Sequence, residues 1–132
     1  MYELMDDSEL DAAVAREVMG WKLDETLMRT NRIVWHEHYS SECIPQGASS
    51  IYKIHNDWHP SFDLRAALKA LDKFNEWTID FDRTERLPYT VAIINPVNGE
   101  FLGMCHSKTM PDAACRAALE AVSHGIIDKV IS

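Results

Sequence analysis

The sequence predicts an α+β fold, a three-layer α/β/α sandwich around a mainly antiparallel sheet. Three observations carry that expectation. Tyr89 to Asn95 and Phe101 to Cys105 are apolar at successive positions, so both faces of each strand need cover. Asn98-Gly99 lies between them, the strongest short hairpin signal, because both residues tolerate the positive φ of a tight antiparallel turn. Amphipathic helical segments stand before and after this hairpin and can supply the covering layers.

The elements follow in order. Ser8 is placed to cap a first helix, with Asp11 three residues on approximating a capping box. Leu10, Ala13, Val14 and Val18 form its apolar stripe, Gly20 stops it, and Trp21 folds back on the helix or the sheet. Residues 26–57 form a long insertion-like loop region. Within it, Arg32 to Tyr39 has strand character, Ser40 to Ser50 reads as loop, and Ile51 to Ile54 reads as a short strand. Together they make a hairpin with a long excursion.

A second helix starts after Pro60, with Ser61 as its N-cap and Asp63 in its first turn. Leu64, Ala67, Leu68, Leu71 and Phe74 fall on one stripe. Residues 77–83 alternate apolar and polar, which gives a strand with one face to solvent. Residues 89–95 and 100–105 complete the sheet. The last helix starts near Thr109 or Met110, with Pro111 in its first turn, shows a face of Ala114, Ala117, Ala118, Ala121 and Val122, and ends at Gly125. Ile126, Ile127, Val130 and Ile131 in the tail need a partner, either an edge of the same sheet or a second subunit; a homo-oligomer is the expected assembly.

Composition narrows function by exclusion. The chain has 132 residues, 13 Lys+Arg against 21 Asp+Glu, and a formal charge of −8. One domain over residues 1–132 is expected, with no linker or repeat. A grip on duplex nucleic acid needs a basic footprint that this chain lacks. The acidity is local: residues 1–25 hold eight acids and two bases, leaving the remainder at net −2. An anionic small ligand therefore remains compatible with the body of the chain. No run approaches the about 18 apolar residues of a membrane span. The acidic start does not resemble a signal peptide, and three cysteines without metal-type spacing fit reduced thiols in a cytosol.

Three blocks of residues resemble a known family. These are Leu10-Asp11 with Val14 to Trp21, then Trp58-x-Pro60-Ser61-x-Asp63, then Thr109-x-Pro111-x-Ala113-x-Cys115-Arg116-Ala117-Ala118-Leu119. Spread over residues 8–122, they resemble the phage ABA sandwich domain. The resemblance implies the same α/β/α architecture, a bacteriophage or prophage origin, and hence the host cytoplasm. It brings no catalytic residues, so none are carried over. The chain departs from the family's compactness between Trp21 and Trp58.

Candidate chemistry is sparse. His36 and His38 alternate on a strand and with Cys43 offer three ligands, but no second pair stands at zinc spacing, so neither metal nor other cofactor is expected. Solvent-facing or hydrogen-bonded histidines are the better account. Asp80 and Asp82 share one strand face, as a solvated sheet face does. Cys105 and Cys115 read as inert fillers. No nucleophile elbow, Walker loop or dinucleotide fingerprint is present.

The helix starts are more informative, because free N–H groups and the positive dipole end accept phosphate. Trp58-His59-Pro60 precedes Ser61, with Arg65 one turn on; His106-Ser107-Lys108 precedes Thr109, with Arg116 two turns on. Trp58, Ser61, Arg65, Lys108, Thr109 and Arg116 are therefore the candidate site, with Trp58 stacking on a base. The alternative, in which Trp58 packs on the core and Ser61 merely caps, stays open. With the phage resemblance, the expected function is a counter-defence protein that sequesters a small phosphate-bearing immune signal such as a cyclic nucleotide, without chemistry. A module that binds and inhibits a host defence protein is the first alternative, and a metal-dependent hydrolase built on His36 and His38 the second.

Overall fold

A computed structural model describes residues 5–23, 35–38, 52–55 and 57–123. Helix α1 (Asp7–Ala13) runs directly into a π-helical turn, Val14–Val18. Its cap is Asp6, whose extended backbone lets the carboxylate accept from Glu9 N–H at 2.8 Å. Ser8 lies inside the first turn and does not cap, which corrects the sequence expectation. Gly20 adopts φ +72°, and Trp21 N–H then donates to the Ala15 carbonyl at 2.9 Å, so the chain folds back on the helix as expected.

Three short strands follow: β1 (Lys22–Leu23), β2 (Trp35–His38) and β3 (Tyr52–His55), antiparallel in that order. The expected hairpin between residues 32–39 and 51–54 thus exists. Its connecting excursion falls outside the described residues, as do Cys43 and the tail from residue 124, with Gly125, on which the oligomer expectation rests.

Helix α2 (Leu64–Leu71) is capped by Asp63, which accepts from Arg65 N–H at 3.0 Å. Ser61 is in the preceding turn and does not cap α2, because the N–H two residues on, that of Asp63, donates to the His59 carbonyl at 2.8 Å. The buried face consists of Ala66, Ala67, Ala70 and Leu71. Leu64 is exposed, so the stripe is rotated from the one expected.

The main sheet has the order β4 (Trp77–Phe81), β5 (Tyr89–Ile94), β6 (Phe101–Ser107), all antiparallel. This is the α+β architecture with the antiparallel sheet at 77–83, 89–95 and 100–105 that the sequence predicts, with ends shifted by a residue or two. Gly99, at φ +75°, closes the β5–β6 turn. Strand β4 differs from expectation: residues 78–81 are exposed on both faces.

Helix α3 (Met110–Ser123) covers β5 and β6, with α2 and the π-turn packed behind it. Val91, Ile93, Ala113, Ala114, Ala117, Ala118 and Ala121 make the interface core. Its closeness has one cause. A Cβ at Gly103 would collide with the Ala117 carbonyl and lie 2.9 Å from Ala121 N. No described helix is long and apolar enough to cross a membrane.

Gly103→Ala should therefore destabilise the fold by at least about 1–3 kcal/mol, the usual cost of overpacking. Gly99→Ala has open space around it and should cost less, through φ alone. Urea denaturation of the two variants checks the order; equal losses would refute the close approach.

Candidate functional site

The start of α3 and the turn before α2 face each other across a groove of about 1060 Å3. Ser61, Lys108, Thr109 and Arg116, four of the six expected site residues, line it, joined by Phe62 and His106. Residues some fifty positions apart are thus brought to one place by α2 and the π-turn packing on α3.

Local chemistry sets what each can do. Thr109 is the hydroxyl cap of α3: its Oγ1 accepts from Asp112 N–H at 3.4 Å and its carbonyl from Ala113 N–H at 3.2 Å. Asp112 sits in the first turn, where the helix dipole favours an acid. Arg116 Nε donates to both Asp112 oxygens, at 3.2 and 3.0 Å, and Nη2 donates to the Met5 carbonyl at 3.1 Å. Ser107 Oγ adds a 2.6 Å hydrogen bond to Asp112. Arg116 therefore neutralises Asp112 and anchors the chain ahead of α1, instead of presenting a cation to the groove. Lys108 is exposed and has no ion pair or hydrogen bond among the described residues.

Ser61 is 4% exposed. Its N–H donates to Asp11 Oδ1 at 2.8 Å, and its buried hydroxyl lies against the same carboxylate. Asp11, on the inner face of α1, holds this turn in place; the sequence reading assigned it to a capping box. Its carboxyl pKa is raised because burial disfavours the charge, offset in part by the Ser61 N–H and hydroxyl and by His59, whose Nδ1 lies 3.5 Å away. The signal available was position, an acid on the same helix face as Ala15 and Val18.

Trp58 and Arg65 stand apart. They line a separate groove of about 440 Å3 with His55, Asp57 and Lys69. Trp58 is 7% exposed; Nε1 donates to the Asp11 carbonyl at 3.1 Å, and the ring meets Trp21 edge-on at 4.5 Å. It is a core residue and not the stacking face the sequence suggested. Phe62, 65% exposed and stacked on His59 at 4.9 Å, is the aromatic surface at the groove instead.

The remaining candidates carry little chemistry. Cys115 is buried, which pushes its thiol pKa well up and keeps it protonated. Among the described residues no group of three His, Cys, Asp or Glu could hold a metal ion. His36 and His38 occupy alternate positions of β2, and their side chains lie outside the described set.

Asp11 gives a test of this geometry. Asp11→Ala leaves the buried Ser61 N–H unpaired and should cost about 1–3 kcal/mol. Asp11→Asn keeps an acceptor and should cost less. A raised carboxyl pKa means that the folded chain binds a proton more readily than the unfolded one. The wild type should therefore gain stability relative to Asp11→Asn as pH falls from neutrality toward 4, the usual carboxylate range. Parallel pH–stability curves for the two proteins would contradict it.

Comparison with known proteins agrees with the fold. A phage protein from Bacillus cereus ATCC 14579, known from a crystal structure, superposes with a TM-score of 0.62 at 18% identity, covering 90% of this chain and 89% of that one. No curated protein matches. The family description of the phage ABA sandwich domain matches residues 12–119, most of the chain and all three blocks' cores. On that match, the chain belongs to the phage ABA sandwich domain family.

Proposed function

We propose that this phage-family protein binds a nucleotide-type, phosphate-bearing ligand in the β6–α3 groove and sequesters it without chemistry. In the host cytoplasm such binding would withdraw an immune signal and so act as counter-defence. The observation that carries the reading is the convergence of Ser61, Lys108 and Thr109 beside an exposed aromatic ring. Lys108 supplies a charge-assisted contact to phosphate. Ser61 supports the groove wall from inside, its turn tied to α1 by the N–H bond to Asp11. Phe62 offers a face for a base, a contact of about 1–3 kcal/mol in single-strand binders. Arg116 serves from behind, its ion pair offsetting the charge of Asp112 near the phosphate.

A second reading has its own observation. Phe62, Leu87 and Met104 are exposed apolar residues on the same groove, as an inhibitor of a host defence protein would require.

Calorimetric titration with a panel of cyclic nucleotides separates them. One member should bind, and Lys108→Glu and Phe62→Ala should each weaken it about tenfold or more, about 1.4 kcal/mol. Ligand recovered by chromatography should be chemically unchanged, with or without a chelator. Undiminished binding by both variants would remove the site. Turnover lost on chelation would replace sequestration with a hydrolase.

A further inference from the structure

Among the described residues, strand β4 stands at an open edge of the sheet, with β5 its one neighbour. The Glu76 carbonyl accepts from Ile94 N–H and Asp82 N–H donates to the Pro88 carbonyl, each at 2.9 Å. Backbone direction alternates along a strand, so Thr78 and Asp80 also turn their groups toward β5. The N–H and C=O groups of Trp77, Ile79 and Phe81 therefore point away from the sheet.

The side chains at this edge divide by face. Ile79 and Phe81, 38% and 57% exposed, pair across to Val91 and Tyr89 on the α3 side of the sheet, but α3 rests on β5 and β6 and leaves them uncovered. The other face carries Thr78 and Asp80. Beyond Asp80 a groove of about 510 Å3 is lined by Asp80, Asp82, Glu85, Arg86 and His106. An edge with unpaired backbone and exposed apolar side chains is a template for another strand.

Charge decides which strand fits. A second copy paired antiparallel about Ile79 would set Glu76 against Asp82 on both sides, and each chain carries a formal charge of −8. Like charges directly opposite are destabilising. A basic strand meets the reverse situation. We propose that the β4 edge docks an extended segment of a partner protein in which apolar and basic residues alternate. Its apolar side chains cover Ile79 and Phe81, and its basic ones face Asp80 and the acids beyond it. This surface is separate from the phosphate groove, and neither reading depends on the other.

Fluorescence anisotropy with a short labelled peptide alternating valine and lysine tests the proposal on the full chain. The peptide should bind, and exchanging its lysines for glutamates should weaken binding by about tenfold or more. Asp80→Lys should reverse that preference. Ile79→Pro removes an outward N–H while sparing the bonds to β5, and should weaken both peptides with an unchanged circular dichroism spectrum. If Ile79→Pro unfolds the chain, the Asp80→Lys reversal decides alone. A retained preference for lysine in Asp80→Lys would overturn the proposal. So would dimers in light scattering that Phe81→Asp abolishes, because a second copy would then hold the edge.

Discussion

Helix α3 lies so close to the sheet that no side chain fits at position 103. Gly103 faces the Ala117 carbonyl and the Ala121 amide directly, and the alanines of α3 continue that small-residue contact along the helix. Close approach matters because dispersion contacts fall off within an ångström or so, and small residues let two backbones share them. The contact also fixes α3 in register with β6. Met110 then follows Ser107 by three residues, and the N-terminus of a 14-residue helix opens at the end of the sheet instead of over its middle. The groove, the capping Thr109 and the unpaired Lys108 all take their places from that register.

Asp11 performs the second fixing step. A buried carboxylate is costly unless it is hydrogen-bonded, and here it receives the Ser61 N–H while its own carbonyl receives the Trp58 indole. Two contacts from one residue of α1 thereby set the turn that precedes α2. In that turn Phe62 and Asp63 N–H both donate to the His59 carbonyl, so Ser61 stands inside it and Asp63 caps α2. The turn also projects Phe62 outward, next to the α3 start. A single internal acid therefore sets which aromatic of the Trp58-His59-Pro60-Ser61-Phe62 run is core and which is surface.

These details explain what was legible in the sequence. The antiparallel β5–β6 pair was readable because Asn98-Gly99 and continuous apolar runs are local signals. Helix α3 was readable for the same reason, with its start near Thr109 or Met110. The caps of α1 and α2 were not, because each has two candidate residues within three positions and the choice turns on a tertiary contact. Asp6 wins over Ser8 through the extended backbone ahead of α1, and Asp63 over Ser61 through the turn that Asp11, some fifty residues away, holds. The candidate site divides similarly. Lys108, Thr109 and Arg116 are neighbours on one helix start and were found together. Trp58 admits both a surface and a core reading in the sequence, since its context, between Asp57 and His59, is polar. Its burial follows from Trp21 and Asp11, which periodicity around residue 58 does not reveal.

The charge distribution also constrains how any anionic ligand would be recognised. Asp7 lines the groove opposite Lys108, and Asp112 and Arg116 cancel each other within hydrogen-bond distance. The groove thus presents little net field, on a chain that is acidic overall. Long-range attraction therefore cannot steer an anion inward, as it does in strongly basic clefts. Selectivity toward such a ligand would have to come from short-range contacts, the Lys108 ammonium and the Phe62 face among them, since Asp112 N–H is already held by Thr109 and Pro111 has none. Such contacts act mainly on the lifetime of a complex once formed, and a sequestering protein depends on lifetime more than on speed of capture.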